Sequence, residues 1–263
     1  STQLSLSDTF TDSGVSATVF RIPVGTNERQ KKFLIWKWLW QHRELIKNAD
    51  VVHCHDVFYW YIPFRLLFLR KNVFTTFHGY ETVVPPAKNA VRIRKISEQW
   101  SRGNICVGDF IRKWYGTQPD FVTYGGTNTG QSFESKVQSD TKLRILYIGR
   151  IEPDNGVEQY SRLLEILKHN KIEFEFVALG EGSLKAVFAK FGKTPGFQPE
   201  LHESLRHADI VFASSYLSIL DALAARKLVV SFYFFYLKKD YLELSPFAKY
   251  IIAEKSSEEA YKK

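Results

Sequence analysis

The sequence predicts an α/β protein of two doubly wound domains, each a parallel sheet covered by helices. Short apolar runs of strand type alternate with helical patterns along the chain. This alternation occurs on both sides of one polar stretch, residues 129–141, which has the composition of a linker. The 263 residues also exceed the common domain size of about 100 to 150 residues. We therefore expect domains over residues 1–135 and 141–263.

The first half contains one unusually aromatic helix. Residues 1–16 are polar and aperiodic, and we expect them to form a loop. A helix is predicted over residues 33–47, with three tryptophans that we expect to pack in the core; contact with a membrane surface is the alternative. The remaining segments of this half are predicted as strands at 17–24, 50–53, 72–77, 104–107 and 121–124, and as helices at 57–69, 92–101 and 109–115.

The second half is organised around residues 143–167. The apolar run at 143–148 is typical of a parallel strand that is covered on both faces. Gly149 ends this strand, turn formers occupy 153–156, and apolar residues then recur at helical spacing. Further strands are predicted at 172–179, 209–213, 228–235 and 250–253, and helices at 201–207, 219–225 and 238–244.

This strand, turn and helix form the first candidate site. In an open α/β sheet, ligands usually bind at the carboxyl ends of the strands. The free amides and the dipole of a helix N-terminus favour an anion there, and Arg150 adds a permanent positive charge. An ordinary connection with a solvated arginine is the alternative interpretation.

Histidines follow two strands of the first half. The run HCHD at residues 53–56 has the residue types of a metal site. Zinc needs three or four converging ligands, and no second Cys or His cluster has a suitable spacing, so we expect no metal. His78 and Glu81 follow the strand at 72–77, next to Gly79, which makes His78 a candidate site residue.

Two further segments of the second half have residues that suit a binding site. Gly180 and Gly182 follow a predicted strand, where glycine could let a ligand approach the backbone. The hydroxyl-rich segment SSYLS, residues 214–218, is predicted to be a loop before the helix that carries Asp221.

Composition is that of a soluble globular protein, with 44% hydrophobic and 24% charged residues. No apolar run approaches the roughly 20 residues of a membrane span. The first 140 residues hold 18 Lys and Arg against 12 Asp and Glu, so most of the net charge of +8 lies there. Such a basic face can meet nucleic acid, anionic lipid or a phosphorylated substrate.

The cellular location of the protein is inferred from two features that the sequence lacks. Two cysteines cannot form a disulfide framework, and no signal-peptide pattern occurs. We therefore expect a cytoplasmic protein, which could associate peripherally with the inner face of the membrane through its basic half. No RNA-binding signature occurs, so we expect no nucleic-acid partner.

Six segments, taken in order, resemble the nucleotide-sugar-dependent glycosyltransferases of family 4. They are DVVHCHD, FTTFHGYE, VTYGGTN, ILYIGRIEPDNGVE, VALGEG and ADIVFASSYLSILDALAARKLVV, within residues 50–253. The resemblance implies the GT-B fold, in which two Rossmann-like domains face each other across a cleft. It also implies a retaining transfer from a nucleotide-diphosphate sugar, without a metal or another cofactor.

The resemblance also implies roles for individual residues. Arg150 would contact the donor diphosphate, Asp221 would hold the ribose hydroxyls, and His78 would lie near the transferred sugar; these are the expected catalytic residues. The expected substrate contacts are His55, Gly79, Glu81, Gly149, Asn155, Gly180, Gly182, Ser214, Ser215, Tyr216, Leu217 and Ser218.

Four features depart from the family pattern. Asn155 stands where the family has a lysine, so the diphosphate clamp lacks one charge. Asp221 replaces a glutamate, and Ala213 stands at the position of an upstream acidic residue. The opening strand with its glycine-rich loop has no counterpart before Ala17, and the crossing C-terminal helix is curtailed.

We therefore expect a hexosyltransferase that moves a sugar onto a lipid-linked, glycan or small-molecule acceptor. A sugar-nucleotide epimerase on the same architecture is the first alternative, and it would need no acceptor. A catalytically inactive module that binds nucleotide sugars is the second alternative, which the four departures favour.

Overall fold

The computed structural model describes residues 7–12, 15–20, 27–56, 58–80, 84–127 and 142–263. Two parallel sheets carry the architecture, one in each half of the chain, and helices connect their strands. This confirms the predicted α/β fold with two Rossmann-like parallel sheets. The expected linker and the domain boundaries at 135 and 141 lie outside the described residues, so the boundaries stay a prediction.

The sheet of the first half has four strands in the order β3-β4-β5-β6, all parallel. Three helices, α3, α4 and α5, connect the strands in turn. The elements are β3 (Val51–His55), α3 (Phe58–Leu67), β4 (Asn72–Phe77), α4 (Lys88–Trp100), β5 (Gly103–Val107), α5 (Phe110–Tyr115) and β6 (Phe121–Thr123).

The sheet of the second half has six parallel strands in the order β9-β8-β7-β10-β11-β12. The strand order therefore reverses between β7 and β10, as in a dinucleotide-binding fold. The elements are β7 (Leu143–Ile148), α6 (Val157–His169), β8 (Phe174–Leu179), α7 (Lys185–Phe188), β9 (Lys193–Gly196), α8 (His202–His207), β10 (Ile210–Ala213), α9 (Tyr216–Ala224), β11 (Leu228–Phe232), α10 (Tyr236–Glu243), β12 (Ile252–Glu254) and α11 (Ser257–Tyr261).

Two sequence predictions for the N-terminal segment are wrong. The expected loop contains a strand, β1 (Ser7–Asp12), which pairs antiparallel with β2 (Val15–Phe20); β2 overlaps the strand predicted at 17–24. The expected long helix is two helices, α1 (Glu28–Gln41) and α2 (Arg43–Asn48), which meet at His42. The ring of His42 stacks on Trp38 with 4.1 Å between centroids, so an aromatic contact marks the break.

The aromatic helix α1 is mostly exposed, which contradicts the expected packing in the core. Ile35 is buried, whereas Phe33 is 65% and Trp40 55% exposed. The helix lies against α3, where the indole N–H of Trp36 donates to the carbonyl of Trp60 at 3.0 Å. Within the described residues, no helix is both long and apolar enough to cross a bilayer.

Three elements were absent from the sequence-based prediction: α7, β9 and α11. The first two are four residues long, which is too short for periodicity to identify them. Helix α11 lies in the charged tail and packs on α6, where the Ser257 hydroxyl donates to the carbonyl of Gln159 at 2.7 Å.

One buried cluster joins the two sheets. The ring of Phe110, on α5, lies 5.2 Å from that of Tyr241, on α10, between centroids. Tyr80, which follows β4, makes edge-on contacts with Tyr241 at 6.1 Å and with Phe235 at 5.8 Å. Because aromatic pairs at this spacing are attractive and exclude water, the two halves share one apolar core.

Asp240 makes the polar contacts at the edge of this shared core. Its carboxylate accepts from the indole N–H of Trp114 at 2.8 Å and from the ammonium of Lys113 at 2.8 Å. Both donors belong to α5 and Asp240 belongs to α10, so this carboxylate links the two halves.

We expect Asp240→Ala to lower the free energy of unfolding by about 1 to 3 kcal/mol, because a half-buried indole N–H loses its acceptor. Urea titration followed by tryptophan fluorescence and far-UV circular dichroism measures this change. Glu243→Ala is the control, since Glu243 is exposed on the same helix and its pair with Lys239 spans 3.6 Å. Equal stability of the two variants would contradict the assigned role of Asp240.

Candidate functional site

The reversal of strand order between β7 and β10 positions the candidate site. These two strands are neighbours with register Ile148 to Ala213, and the chain leaves their ends in opposite directions to form α6 and α9. A crevice forms where adjacent connections diverge in this way. The site predicted from the sequence lies at this crevice.

A cavity of about 440 Å³ occupies the crevice. Six of the predicted site residues line it, namely Gly149, Arg150, Asn155, Gly180, Ser214 and Ser215. Six lining residues were not predicted, because nothing in their spacing indicates a site: Ile148, Leu179, Glu181, Phe197, Gln198 and Leu201. The lining therefore combines apolar surface with hydroxyls, one guanidinium and one carboxylate.

The loop after β7 fixes Arg150 at the rim of the cavity. The carbonyl of Arg150 accepts from the Tyr147 hydroxyl at 2.6 Å and from the Asn155 side-chain amide at 2.8 Å. Its guanidinium, 68% exposed, pairs with Asp154 at 2.8 Å. Asn155 thus holds the loop through one hydrogen of its side-chain amide.

The loop after β10 forms the opposite wall of the cavity. The Ser214 hydroxyl donates to the carbonyl of Asn155 at 2.6 Å, which ties the two loops together. Beneath them, the Tyr160 hydroxyl donates to the carbonyl of Ala213 at 3.0 Å. The Lys238 ammonium donates to the carbonyl of Ser214 at 2.5 Å.

Lys238 was missed in the sequence analysis. It is 3% exposed, and burial lowers its pKa to about 7. Its position on the same helical face as Leu237, Tyr241 and Leu242 is the signal that could have identified it as a buried lysine.

The segment 214–218 is only partly a loop, because α9 begins at Tyr216. The amide of Tyr216 donates to the Tyr241 hydroxyl at 2.8 Å, and the two rings stack at 3.9 Å. Tyr216 is therefore buried, Leu217 is exposed, and the Ser218 hydroxyl bonds to Ser215 at 2.7 Å. None of these three residues lines the cavity within the part of the chain that the structure describes.

The glycines after β8 have a structural explanation. A Cβ atom on Gly180 would lie 1.8 Å from the carbonyl oxygen of Gly149, and one on Gly182 would lie 2.2 Å from that of Ile151. Both glycines let the chain pass close to the loop after β7. Gly180 also lines the cavity, whereas Gly182 does not.

Two predicted histidines meet at the carboxyl ends of β3 and β4. His55 Nδ1 lies 2.6 Å from His78 Nε2, so one ring nitrogen donates and the other accepts. The amide of His78 donates to the Asp56 carboxylate at 3.0 Å. The next residue, Gly79, has its carbonyl held by Arg94 at 2.7 Å, which fixes the backbone that carries His78.

His53 lies next to this pair, and its ring centroid is 4.3 Å from that of His55. Burial lowers the pKa of His53, and the neighbouring imidazoles His55 and His78 lower it further. In the described ranges, no group of three or more His, Cys, Asp or Glu side chains is arranged to hold a metal ion. Glu81 lies outside the described residues.

Tyr80 connects the histidine pair to the cavity. It follows His78 by two residues and packs on Tyr241. Burial raises the pKa of its hydroxyl, and the charges of Asp154 and Arg150 also act on it. The backbone after β4 therefore approaches the rim of the cavity from the other half of the chain.

Asp221, predicted to contact the ligand, is oriented differently. Its carboxylate accepts from the Thr127 hydroxyl at 2.5 Å, so it links α9 to the segment after β6. Asp221 is not among the residues that line the cavity. That Asp221 holds the ribose hydroxyls of a donor stays a prediction.

Solved structures of GT-B proteins share this fold. A glycosyltransferase from Rickettsia africae has a TM-score of 0.65 and 16% identity, over 93% of this chain and 73% of its own. Staphylococcus aureus TarM, in a variant complexed with fondaparinux, α-GlcNAc-glycerol and UDP, has a TM-score of 0.60 and 17% identity, over 89% of this chain. A Listeria monocytogenes protein assigned as a UDP-N-acetylglucosamine 2-epimerase has a TM-score of 0.57 and 14% identity, over 92% of this chain and 72% of its own.

This chain spans 51% of the TarM chain. No protein-family model matches the sequence, and no curated protein does. The structural similarities confirm the GT-B fold that the sequence resemblance implied. At these identities they establish the fold and leave the reaction to be inferred from the site.

Proposed function

We propose that this chain is a retaining glycosyltransferase of family 4 type, which moves a hexosyl group from a nucleotide-diphosphate sugar to a lipid-linked, glycan or small-molecule acceptor. The observation that carries the proposal is the cavity of about 440 Å³ at the strand-order reversal, with Arg150 at its rim. UDP is the first candidate nucleotide, because the similar structure of TarM holds it.

The chemistry suits these residue types. When the bond between the anomeric carbon and the phosphate oxygen breaks, negative charge develops on the leaving nucleoside diphosphate. Arg150 lines the cavity, and Asn155, two residues before the start of α6, lines it too. The guanidinium and the N-terminus of α6 would stabilise this charge. The acceptor oxygen forms the new glycosidic bond to the anomeric carbon, and its proton passes to the oxygen of the released diphosphate. No metal or cofactor is part of this proposal.

The two halves of the chain would bind different substrates. Residues 141–263 contain the cavity and would bind the donor, while residues 1–135 would present the acceptor. His55 and His78, supported by Asp56, would lie near the transferred sugar. Gly149, Gly180, Ser214 and Ser215 would contact the diphosphate and the sugar. The substrate and catalytic roles predicted for the other site residues stay hypotheses. These residues are Gly79, Glu81, Gly182, Tyr216, Leu217, Ser218 and Asp221.

A sugar-nucleotide epimerase is the second candidate, favoured by the similarity to the Listeria monocytogenes protein. A proton-sharing pair such as His55 and His78 would also suit proton transfer at the donor sugar. An epimerase equilibrates its donor without an acceptor, so the two reactions give different products.

An anionic membrane surface is the partner that we propose for the aromatic face of the first half. This face comprises the exposed side chains of α1 and α3, including Phe33, Trp40, Leu66 and Leu67. A groove of about 360 Å³ lies among Trp40, Pro63, Phe64, Leu66 and Leu67. Arg43, on α2, lies 5.1 Å from the centre of the Trp40 ring. Further basic residues are exposed on α1 and α2, namely Lys32, Lys37 and Lys47. Apolar side chains beside cations suit the interface of an anionic bilayer.

The donor proposal predicts that UDP binds this protein and that Arg150→Ala weakens the binding by about tenfold or more, since a charge-assisted contact contributes roughly 1.5 to 3 kcal/mol. Titration calorimetry measures the affinity for UDP. The affinity for uridine, which has no phosphate, should be the same in both proteins. Arg162→Ala is the control, because Arg162 is 60% exposed on the helix that follows this loop, α6, and pairs with Glu165.

Turnover completes this test. UDP-, GDP- and dTDP-sugars are incubated with the protein while nucleotide release and donor epimerisation are followed. Acceptor-dependent nucleotide release supports the transferase, whereas acceptor-independent epimerisation identifies the alternative. If UDP binds and neither product forms with any donor, the chain is an inactive binding module and the proposed activity is wrong.

His78→Ala should lower turnover by about 10²-fold with little change in UDP affinity, because its imidazole would act on charge that develops only in the transition state. His53→Ala is the matched control, since His53 bonds to Thr76 at 2.8 Å beside the pair. Steady-state kinetics and calorimetry give the two quantities. A parallel loss of UDP affinity and turnover would make His78 a structural residue.

The membrane proposal predicts co-sedimentation with vesicles that contain phosphatidylglycerol, weakened by salt. The double variant Trp40→Ser and Leu66→Ser should lose most of this binding, since each large apolar side chain contributes roughly 1.5 to 3 kcal/mol when buried. Tyr250→Ser is the control, because Tyr250 is a 62% exposed aromatic residue in the other half. Equal sedimentation of both variants would contradict the proposed face.

A further inference from the structure

Lys238 is a buried lysine directly behind the wall of the cavity. It is 3% exposed, whereas its neighbour Lys239 is only half-buried and pairs with Glu243. Lysines are almost never fully buried without a partner of opposite charge, because desolvation of an ammonium is costly. A buried lysine at this place therefore needs an explanation.

The contacts of Lys238 lead to the cavity. Its Nζ donates to the carbonyl of Ser214 at 2.5 Å and lies 4.2 Å from the centre of the Tyr241 ring. Ser214 itself lines the cavity, and its hydroxyl holds the carbonyl of Asn155 at 2.6 Å. The nitrogen of Lys238 is thus separated from the cavity by one residue of its wall.

The charged groups that face Lys238 come from the loop after β7. Asp154 favours its protonated form and Arg150 disfavours it, but these two residues are paired with each other at 2.8 Å. Tyr241, on the same helix α10, presents its ring face to Nζ. Desolvation outweighs these influences and lowers the pKa of Lys238 to about 7. Above that pH, Lys238 is mainly the neutral amine in the protein without ligand.

The side chains that line the cavity carry too little positive charge to neutralise a diphosphate. Arg150 is the one basic residue that lines it in the described part of the chain, and Asp154 offsets that charge. A nucleoside diphosphate brings two to three negative charges, which act strongly across a poorly solvated wall. An anion there would favour protonation of the nearest amine.

We propose that Lys238 is a proton-switched second cation of this site, which takes up a proton from solvent when a nucleoside diphosphate enters the cavity and holds the Ser214 wall against it. Lys238 acts through Ser214 and through its charge, as a positioning residue. Both the amine and the ammonium can donate to the Ser214 carbonyl, so the wall keeps its shape while its charge changes. This inference rests on the proposed function.

The test is calorimetric titration of UDP, with GDP in parallel, at pH 8 in buffers of different ionisation enthalpy. We expect the unaltered protein to take up nearly one proton per nucleotide, because a lysine with a pKa of about 7 is largely neutral at pH 8 before binding. The affinity for UDP should fall as the pH rises above 7, because the proton that Lys238 takes up on binding is then less available.

Two variants and a control isolate Lys238. Lys238→Met should abolish the proton uptake and weaken UDP binding by about tenfold, the loss of one charge-assisted contact. Lys238→Arg carries a permanent charge, so it should bind UDP without proton uptake and with an affinity that does not fall above pH 7. Lys239→Met, the control on the same helix, should keep the uptake and the affinity of the unaltered protein.

The outcomes separate this inference from the donor proposal. If neither UDP nor GDP binds the unaltered protein, the donor proposal fails and this inference fails with it. If UDP binds without proton uptake, or if uptake persists in Lys238→Met, the donor proposal survives and Lys238 is not the switch. Should Lys238→Met fail to fold, persistent uptake by Lys238→Arg overturns the inference equally.

Discussion

The parallel pairing of β7 with β10 is the constraint on which the site depends. Because the connections from these neighbouring strands run to opposite sides, their loops part and leave a crevice at the carboxyl edge. The Tyr160 hydroxyl, buried under the crevice, bonds to the carbonyls of Ala213 and Val230. It therefore anchors the end of β10, next to Ser214, to β11.

The aromatic contact between the halves is the second constraint. Tyr241 touches Tyr80 and Phe110 of the first half and stacks on Tyr216 at the start of α9. The same ring faces Lys238, so one side chain belongs to the shared core and also contacts the lysine behind the wall of the cavity. Any shift of the first half relative to the second would therefore reach the cavity through Tyr241, because close-packed cores transmit displacement.

The sequence was sufficient to predict those site residues that directly follow a strand. Gly149 and Arg150 follow a buried strand directly, so strand ends, turn formers and charge were enough to place them at the cavity. Residues farther along a loop were harder to assign. Asn155 lines the cavity as predicted, but its amide holds the carbonyl of Arg150, a partner that spacing does not reveal. Asp221 was assigned by resemblance, while its carboxylate meets Thr127, 94 residues earlier.

The sequence alone determined the α/β class, the alternation of strands and helices, and the strand end that carries Arg150, because apolar periodicity and turn chemistry are local properties of the chain. The tertiary structure decided which strands are neighbours, and so where the order reverses. It also decided that α1 exposes most of its aromatic side chains and that Lys238 is buried. These depend on contacts between residues distant in the chain, and a local pattern contains no information about which distant surface will cover it.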